Sequence, residues 1–144
     1  MELTIRTIYG GAERVTPGVV QSVRDIRQRI KASMQDAVFS CLQEMDVCLC
    51  FNGDVSTYYD KSGIYQPLFY KAKQKFITTI CFDASEWSGD HEEDTSTFRT
   101  LLRDYLLEAG SIVETKASKN KLEFEKPLFE RCIRNAFGDG SSLD

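Results

Sequence analysis

"GIYQPLFYKAKQKFITTICFD", residues Gly63–Asp83, is the stretch on which the fold turns. It divides into two strand-like runs, Ile64–Ala72 and Lys75–Asp83, which meet at Lys73-Gln74. Proline has no N–H to give to a ladder, so Pro67 places the first run at a sheet edge or at a bulge. Just upstream, "VCLCF" (Val47–Phe51) is fully apolar and suits a central strand, with Asn52-Gly53-Asp54 as its closing turn. At the start of the chain, "LTIRTIY" (Leu3–Tyr9) is β-branched and runs into Gly10-Gly11, a pair able to turn a hairpin into a short return strand at Glu13–Val15.

Helical signals fill the intervals. Thr16-Pro17 reads as an N-cap followed by a proline in the first helical position. Val19, Val23, Ile26, Ile30, Met34, Val38, Cys41 and Met45 then recur at three- and four-residue steps, one apolar face of a long helix or of two helices broken near Ser33. Asp94 or Thr95 caps a second helix through Phe98, Leu101, Leu102, Tyr105, Leu106 and Ala109, with Gly110 as its stop. "SIVETK" and "KLEFE" flank the polar "ASKN" as a second hairpin, and Pro127 opens a last helix that Gly138 ends. The expectation is an α+β fold: a mostly antiparallel sheet of five to six strands, packed by a long N-terminal helix and two C-terminal helices. Residues 1–138 form one globular domain, and 139–144, "DGSSLD", a flexible tail.

Apolar content of 42% and charged content of 28% describe a globular chain. Net charge is −4, yet the window Asp83–Asp94 alone carries six carboxylates and no lysine or arginine, so the remainder of the chain is slightly positive. This local acidity does not suit a generally basic nucleic-acid binder. No apolar run is long enough to span a membrane, and "ELTIRTIYGG" lacks the pattern of a secretory signal. Five cysteines, an odd number set in apolar runs, read as free thiols in a reducing compartment, which makes the cytoplasm the expected location.

Four kinds of chemistry compete for the acidic window, which also holds the chain's only tryptophan and only histidine. Metal binding fits badly. Cys48-x-Cys50 puts two thiols on one side of a strand, expected to be the core side, and His91 has no second histidine; the calcium register is absent from Asp83, Glu86, Asp90 and Asp94. No metal or cofactor is therefore expected. Catalysis lacks an elbow, a phosphate loop or a paired base, although Cys41, Cys81 or a serine meeting His91 leaves a small enzyme without recognisable motif as one alternative. Nucleic acid has a candidate face at the hairpin tip, where Lys71, Lys73 and Lys75 lie beside Tyr70, Phe69 and Tyr65, supported by Arg24, Arg27 and Lys31 on the first helix, with Arg14 and Arg29 close in sequence. Lysines also blunt strand edges, and basic residues opposite an apolar stripe are an ordinary wet helix face. The fourth reading is protein recognition: Trp87 as anchor, with Asp83, Glu86, Asp90, Glu92, Glu93 and Asp94 steering a basic partner.

Small size, the thiol pattern, localised acidity and missing catalytic equipment together give a chain that resembles, in type, a bacterial immunity protein, the cognate inhibitor of a polymorphic or contact-dependent growth inhibition toxin. That resemblance implies a non-catalytic, one-to-one complex with a toxin domain, often a basic nuclease, in which the six carboxylates stand in for substrate phosphates and Trp87 is the anchor. The inhibitor itself is a monomer or a homodimer, with Tyr58-Tyr59 and the Ile64–Ala72 run as a possible self-pairing edge.

Overall fold

The computed structural model describes residues 1–8, 17–52 and 61–138. In chain order these form β1 (Glu2–Ile8), α1 (Pro17–Met34), β2 (Glu44–Asn52), β3 (Gly63–Tyr70), β4 (Lys75–Asp83), α2 (His91–Lys119) and α3 (Lys126–Ala136), with a short 3-10 turn at Ala84–Glu86 ahead of α2. The architecture is α+β, but the sheet differs from the expected one. Among the described residues it has four strands, in the order β1-β2-β4-β3. It is mixed: β1 with β2 and β2 with β4 are parallel, and only β3 with β4 is antiparallel. The parallel start has a simple cause. α1 spans 18 residues, about 27 Å at the helical rise, which carries the chain back along β1 so that β2 runs in the same direction. The Gly10-Gly11 turn, the Glu13–Val15 strand, the Thr16 cap, Gly53-Asp54, Tyr58-Tyr59 and the 139–144 tail all lie outside the described residues.

Pro67 sits where its chemistry demands. β3 is an edge strand, its register slips between Tyr65 and Leu68, and Gln66 adopts a positive φ of 51° at that bulge. β2 is central, as its apolar run implies. Its core face is Met45, Val47, Leu49 and Phe51, however, so Cys48 and Cys50 point to the opposite face, half-buried, rather than into the core. Cys50 is in register with Cys81, and burial, then the neighbouring Cys50, pushes the Cys81 thiol up to about 12. None of the five cysteines is in a disulfide.

One apolar cluster joins the sheet to all three helices, drawing Leu3 and Ile5 from β1, Phe76, Ile80 and Phe82 from β4, Val19, Val23, Ile26 and Ile30 from α1, and Phe129 and Ile133 from α3. α1 stops at Met34, and the apolar positions beyond it do not continue its face: Val38 is exposed, Cys41 is in the connecting segment and Met45 belongs to β2. α2 departs from expectation at both ends. It begins at His91 with Asp90 as N-cap, and it runs through Gly110 and the whole of "SIVETK" to Lys119, so the C-terminal hairpin does not form. The burial repeat Phe98, Leu102, Leu106, Ala109, Val113 and Ala117 explains this, since packing overrides the local β preference of Ile112 and Val113. Gly110 serves contact rather than termination: a Cβ there would stand 2.7 Å from the Phe129 ring of α3. Termination comes from a Schellman turn, with Lys121 at φ 58°, Leu122 N–H donating to the Ala117 carbonyl (2.8 Å) and Lys121 N–H to that of Ser118 (3.0 Å). Among the described residues no helix is long and apolar enough to cross a membrane.

Candidate functional site

The acidic window is the hinge between β4 and α2, and its residues divide by what the backbone asks of them. β4 ends at Asp83, whose carboxylate accepts from Ser85 Oγ (2.9 Å) across the 3-10 turn. Trp87 follows, then Ser88 and Gly89, the latter at φ 94°. That positive φ lets the chain reverse sharply into the helix. Asp90 caps α2 by accepting from Glu93 N–H (3.0 Å), so the helix begins about one turn earlier than Asp94 or Thr95 would start it.

Asp94 is the correction that matters most for the expected site. It is only 1% exposed. Its two oxygens accept from Ser88 N–H (2.8 Å), Ser88 Oγ (3.2 Å) and Gly89 N–H (3.1 Å), so the carboxylate staples the turn to the helix and is not presented to a partner. Asp90, Glu92 and Glu93 are exposed, while Asp83 and Glu86 are half-buried. Their density at a helix N-terminus is partly explained without any partner, because the first turn's unpaired N–H groups favour negative charge. Burial, followed by the Glu86 and Glu108 carboxylates, pushes the Tyr105 phenol up.

Trp87 is half-buried. Its ring packs in tilted contact on Phe51 and Phe82, with centroids 6.2 and 6.1 Å away, so the indole leans on the core without being sealed in it. His91 is exposed at the first position of α2, and its ring is seated against Gly18 of α1, where any Cβ would collide with it. Among the described residues no group of three or more histidine, cysteine, aspartate or glutamate side chains converges on a possible metal position.

The lysine face fares worse than its spacing implies. Lys71 and Lys73 are exposed in the β3–β4 turn beside Tyr70, but Lys75 is held by Asp46 (3.2 Å) and Glu44 (3.6 Å) of β2. The hydrogen bond that Lys75 donates to Asp46 is the main reason its ammonium pKa is raised. Arg24 and Lys31 are exposed on α1, and the half-buried Arg27 has a buried Nε with no hydrogen-bond partner. Of the cations around the start of α2, sequence reasoning passed over Arg99 and Arg103, while Arg29 was already counted with the basic residues of the first helix. Arg99 and Arg103 line grooves that also take in His91 and Thr95, and Arg29 of α1 joins them. The available signal was the four-residue spacing of Thr95, Arg99 and Arg103, one helix face.

A comparison with protein families places residues 1–133 under the family described as Immunity protein 12. No curated protein and no solved structure matches the chain.

Proposed function

The chain belongs to the Immunity protein 12 family, and on that premise we propose that it neutralises a cognate, basic toxin domain by occupying it with the acidic surface around Trp87. The observation that carries this reading is that three exposed carboxylates, Asp90, Glu92 and Glu93, follow within six residues of a half-buried indole held against Phe51 and Phe82. An anchor already immobilised by the core loses little conformational freedom when a partner covers it. The contact set is Glu86, Trp87, Asp90, Glu92 and Glu93, with Asp83 and Asp94 shaping the turn from within.

Inhibition here is occupancy and requires no chemistry from the inhibitor. A toxin domain that grips phosphate presents lysines and arginines, and carboxylates held side by side on one rigid helical turn offer it a competing anionic surface. Like charges crowded at 90–93 repel one another, and a cationic partner relieves that repulsion on binding. The encounter belongs in the cytoplasm, where cysteines are kept as reduced thiols.

The test is kinetic. Glu92→Lys/Glu93→Lys in the full chain is expected to slow association with the cognate toxin domain about tenfold at low salt and to flatten its salt dependence, with dissociation changed far less. An association rate and salt slope equal to those of the unaltered chain would remove this surface from the interface.

A further inference from the structure

Two cavities of about 520 and 490 Å³ share His91, Thr95 and Arg99 and form one open groove between the start of α1 and the first turns of α2. Its cationic side chains are Arg29 from α1 and Arg99 and Arg103 from α2; the carboxylates on its walls are Asp25 and Glu92. Asp25 accepts from Gln21 Nε2 (3.1 Å), and Arg103 Nε donates to Asp104 (3.2 Å). Arg29 and Arg99, like the exposed Lys71 and Lys73, lie outside the ion pairs of this fold. Among the described residues neither arginine forms an ion pair, whereas Lys75 and Lys126 each hold two carboxylates. Both arginines line the groove together with Ser22, Thr95, Ser96 and Thr100, so two guanidinium-bearing residues that have no carboxylate partner among the described residues share one depression.

We infer that this groove receives an acidic polypeptide segment of the partner. The inference rests on the toxin-binding surface proposed above and makes the whole interface bipolar. Guanidinium forks match carboxylates in planar, two-bonded geometry. Thr95 to Arg103 covers about 12 Å of helix, a length suited to several residues of an extended segment rather than to one anion. Glu92 borders the groove and also belongs to the acidic surface, so a single partner reaches both.

Charge order decides between a polypeptide and a nucleic acid. A polyanion lying in the groove would continue onto Asp90, Glu92 and Glu93 and be repelled there. A protein can end its negative segment at that boundary and present cations beyond it. Such alternation also enforces register and rejects partners with the wrong charge order.

The test uses the ¹⁵N-labelled full chain, titrated separately with hexaglutamate, hexalysine and a short single-stranded oligoribonucleotide. Hexaglutamate is expected to shift the Nε–Hε signals of Arg29 and Arg99 saturably, with affinity at least about fivefold weaker in Arg29→Gln/Arg99→Gln, a change the loss of two charged hydrogen-bonding groups readily supplies. The variant's unbound spectrum must keep the dispersion of the parent. Hexalysine is expected to shift Glu92, Glu93 and the Trp87 indole N–H, equally in parent and variant. Hexaglutamate shifts that are absent, scattered or indifferent to the double substitution overturn the inference, and so does tighter groove binding by the oligoribonucleotide. If hexalysine alone fails, the acidic surface is lost and the arginine groove stands; if hexaglutamate alone fails, the reverse holds.

Discussion

Residues 83–94 carry six carboxylates and residues 70–75 carry three ammonium groups, and in sequence both look like surfaces made to meet a charged partner. In the folded chain each has lost members to internal duties, by different routes. The acidic turn gives Asp94 to the N–H groups of Ser88 and Gly89 and Asp90 to that of Glu93, because a helix start has donors to satisfy. The lysine hairpin gives Lys75 to Asp46 and Glu44 on the neighbouring strand, because β4 is an interior strand and its residues face partners across the ladder. What remains differs in kind: exposed carboxylates close in sequence to an indole packed on Phe51 and Phe82 in one region, and Lys71 and Lys73 at a turn in the other. The lesson is that crowding of charge along a sequence measures potential only after the backbone and the adjoining strand have taken their share.

The strongest way to break this comparison is Asp94→Ala. It removes a buried acceptor of three hydrogen bonds and strands two backbone N–H groups, so a loss of about 3 kcal/mol in unfolding free energy is expected. Denaturant titration measures it, and a loss no larger than that of Glu92→Ala would show that inner and outer carboxylates are equivalent after all. Trp87→Ala comes next, with an expected cost on the order of 2 kcal/mol in toxin binding. Because the ring also packs on Phe51 and Phe82, affinity must be read from the folded fraction; a lowered melting temperature with unchanged affinity would assign the indole wholly to the core.

Exchanging the two regions sharpens the contrast. Lys71→Glu/Lys73→Glu is expected to alter toxin association less than about twofold, against the roughly tenfold change expected for Glu92→Lys/Glu93→Lys. Equal effects would mean that only total charge matters. The smallest effect concerns Glu125, another carboxylate taken up by the fold. Ser40 donates to it through both its hydroxyl and its N–H (2.9 Å for the latter), and these bonds, the hydroxyl's first, hold its pKa below the usual carboxylate value. A depressed folded pKa contributes stability that is complete above the ordinary value and is lost as pH falls through the lower folded one. Ser40→Ala removes the hydroxyl's bond and keeps the N–H bond, so it should lower stability in the neutral region, where that bond to the carboxylate is complete, and flatten the acid limb of stability against pH. Chemical denaturation across that limb checks the sign.

Much of the fold was legible from local rules, and the misses share a cause. α1 and α3 follow their apolar periodicity, and β3 with its proline bulge follows from a missing N–H. The hairpin read into 111–125 failed because Ile112 and Val113 look strand-like alone, whereas their partners Ala109 and Ala117 complete a helical face that only α3 and the sheet make visible. The uniformly apolar run Val47–Phe51 does not reveal which way Cys48 and Cys50 point, because a strand has two faces and Val47, Leu49 and Phe51 hold the inner one. At the candidate site, the identity of the acids and of Trp87 was legible; which of them point inward was not, since that follows from where Asp90 starts the helix.

By itself the sequence determined the element types where periodicity is strong, the α+β class, the acidic character of 83–94 and the absence of a recognisable catalytic motif, because each depends on neighbours along the chain. Only the tertiary structure decided that β2 lies parallel to both of its neighbours, that α2 runs on to Lys119, that Asp94 is buried while Glu92 and Glu93 are not, and that Arg29 meets Arg99 across a groove. Those features depend on contacts between residues far apart in sequence, where burial and pairing in space outweigh local preference.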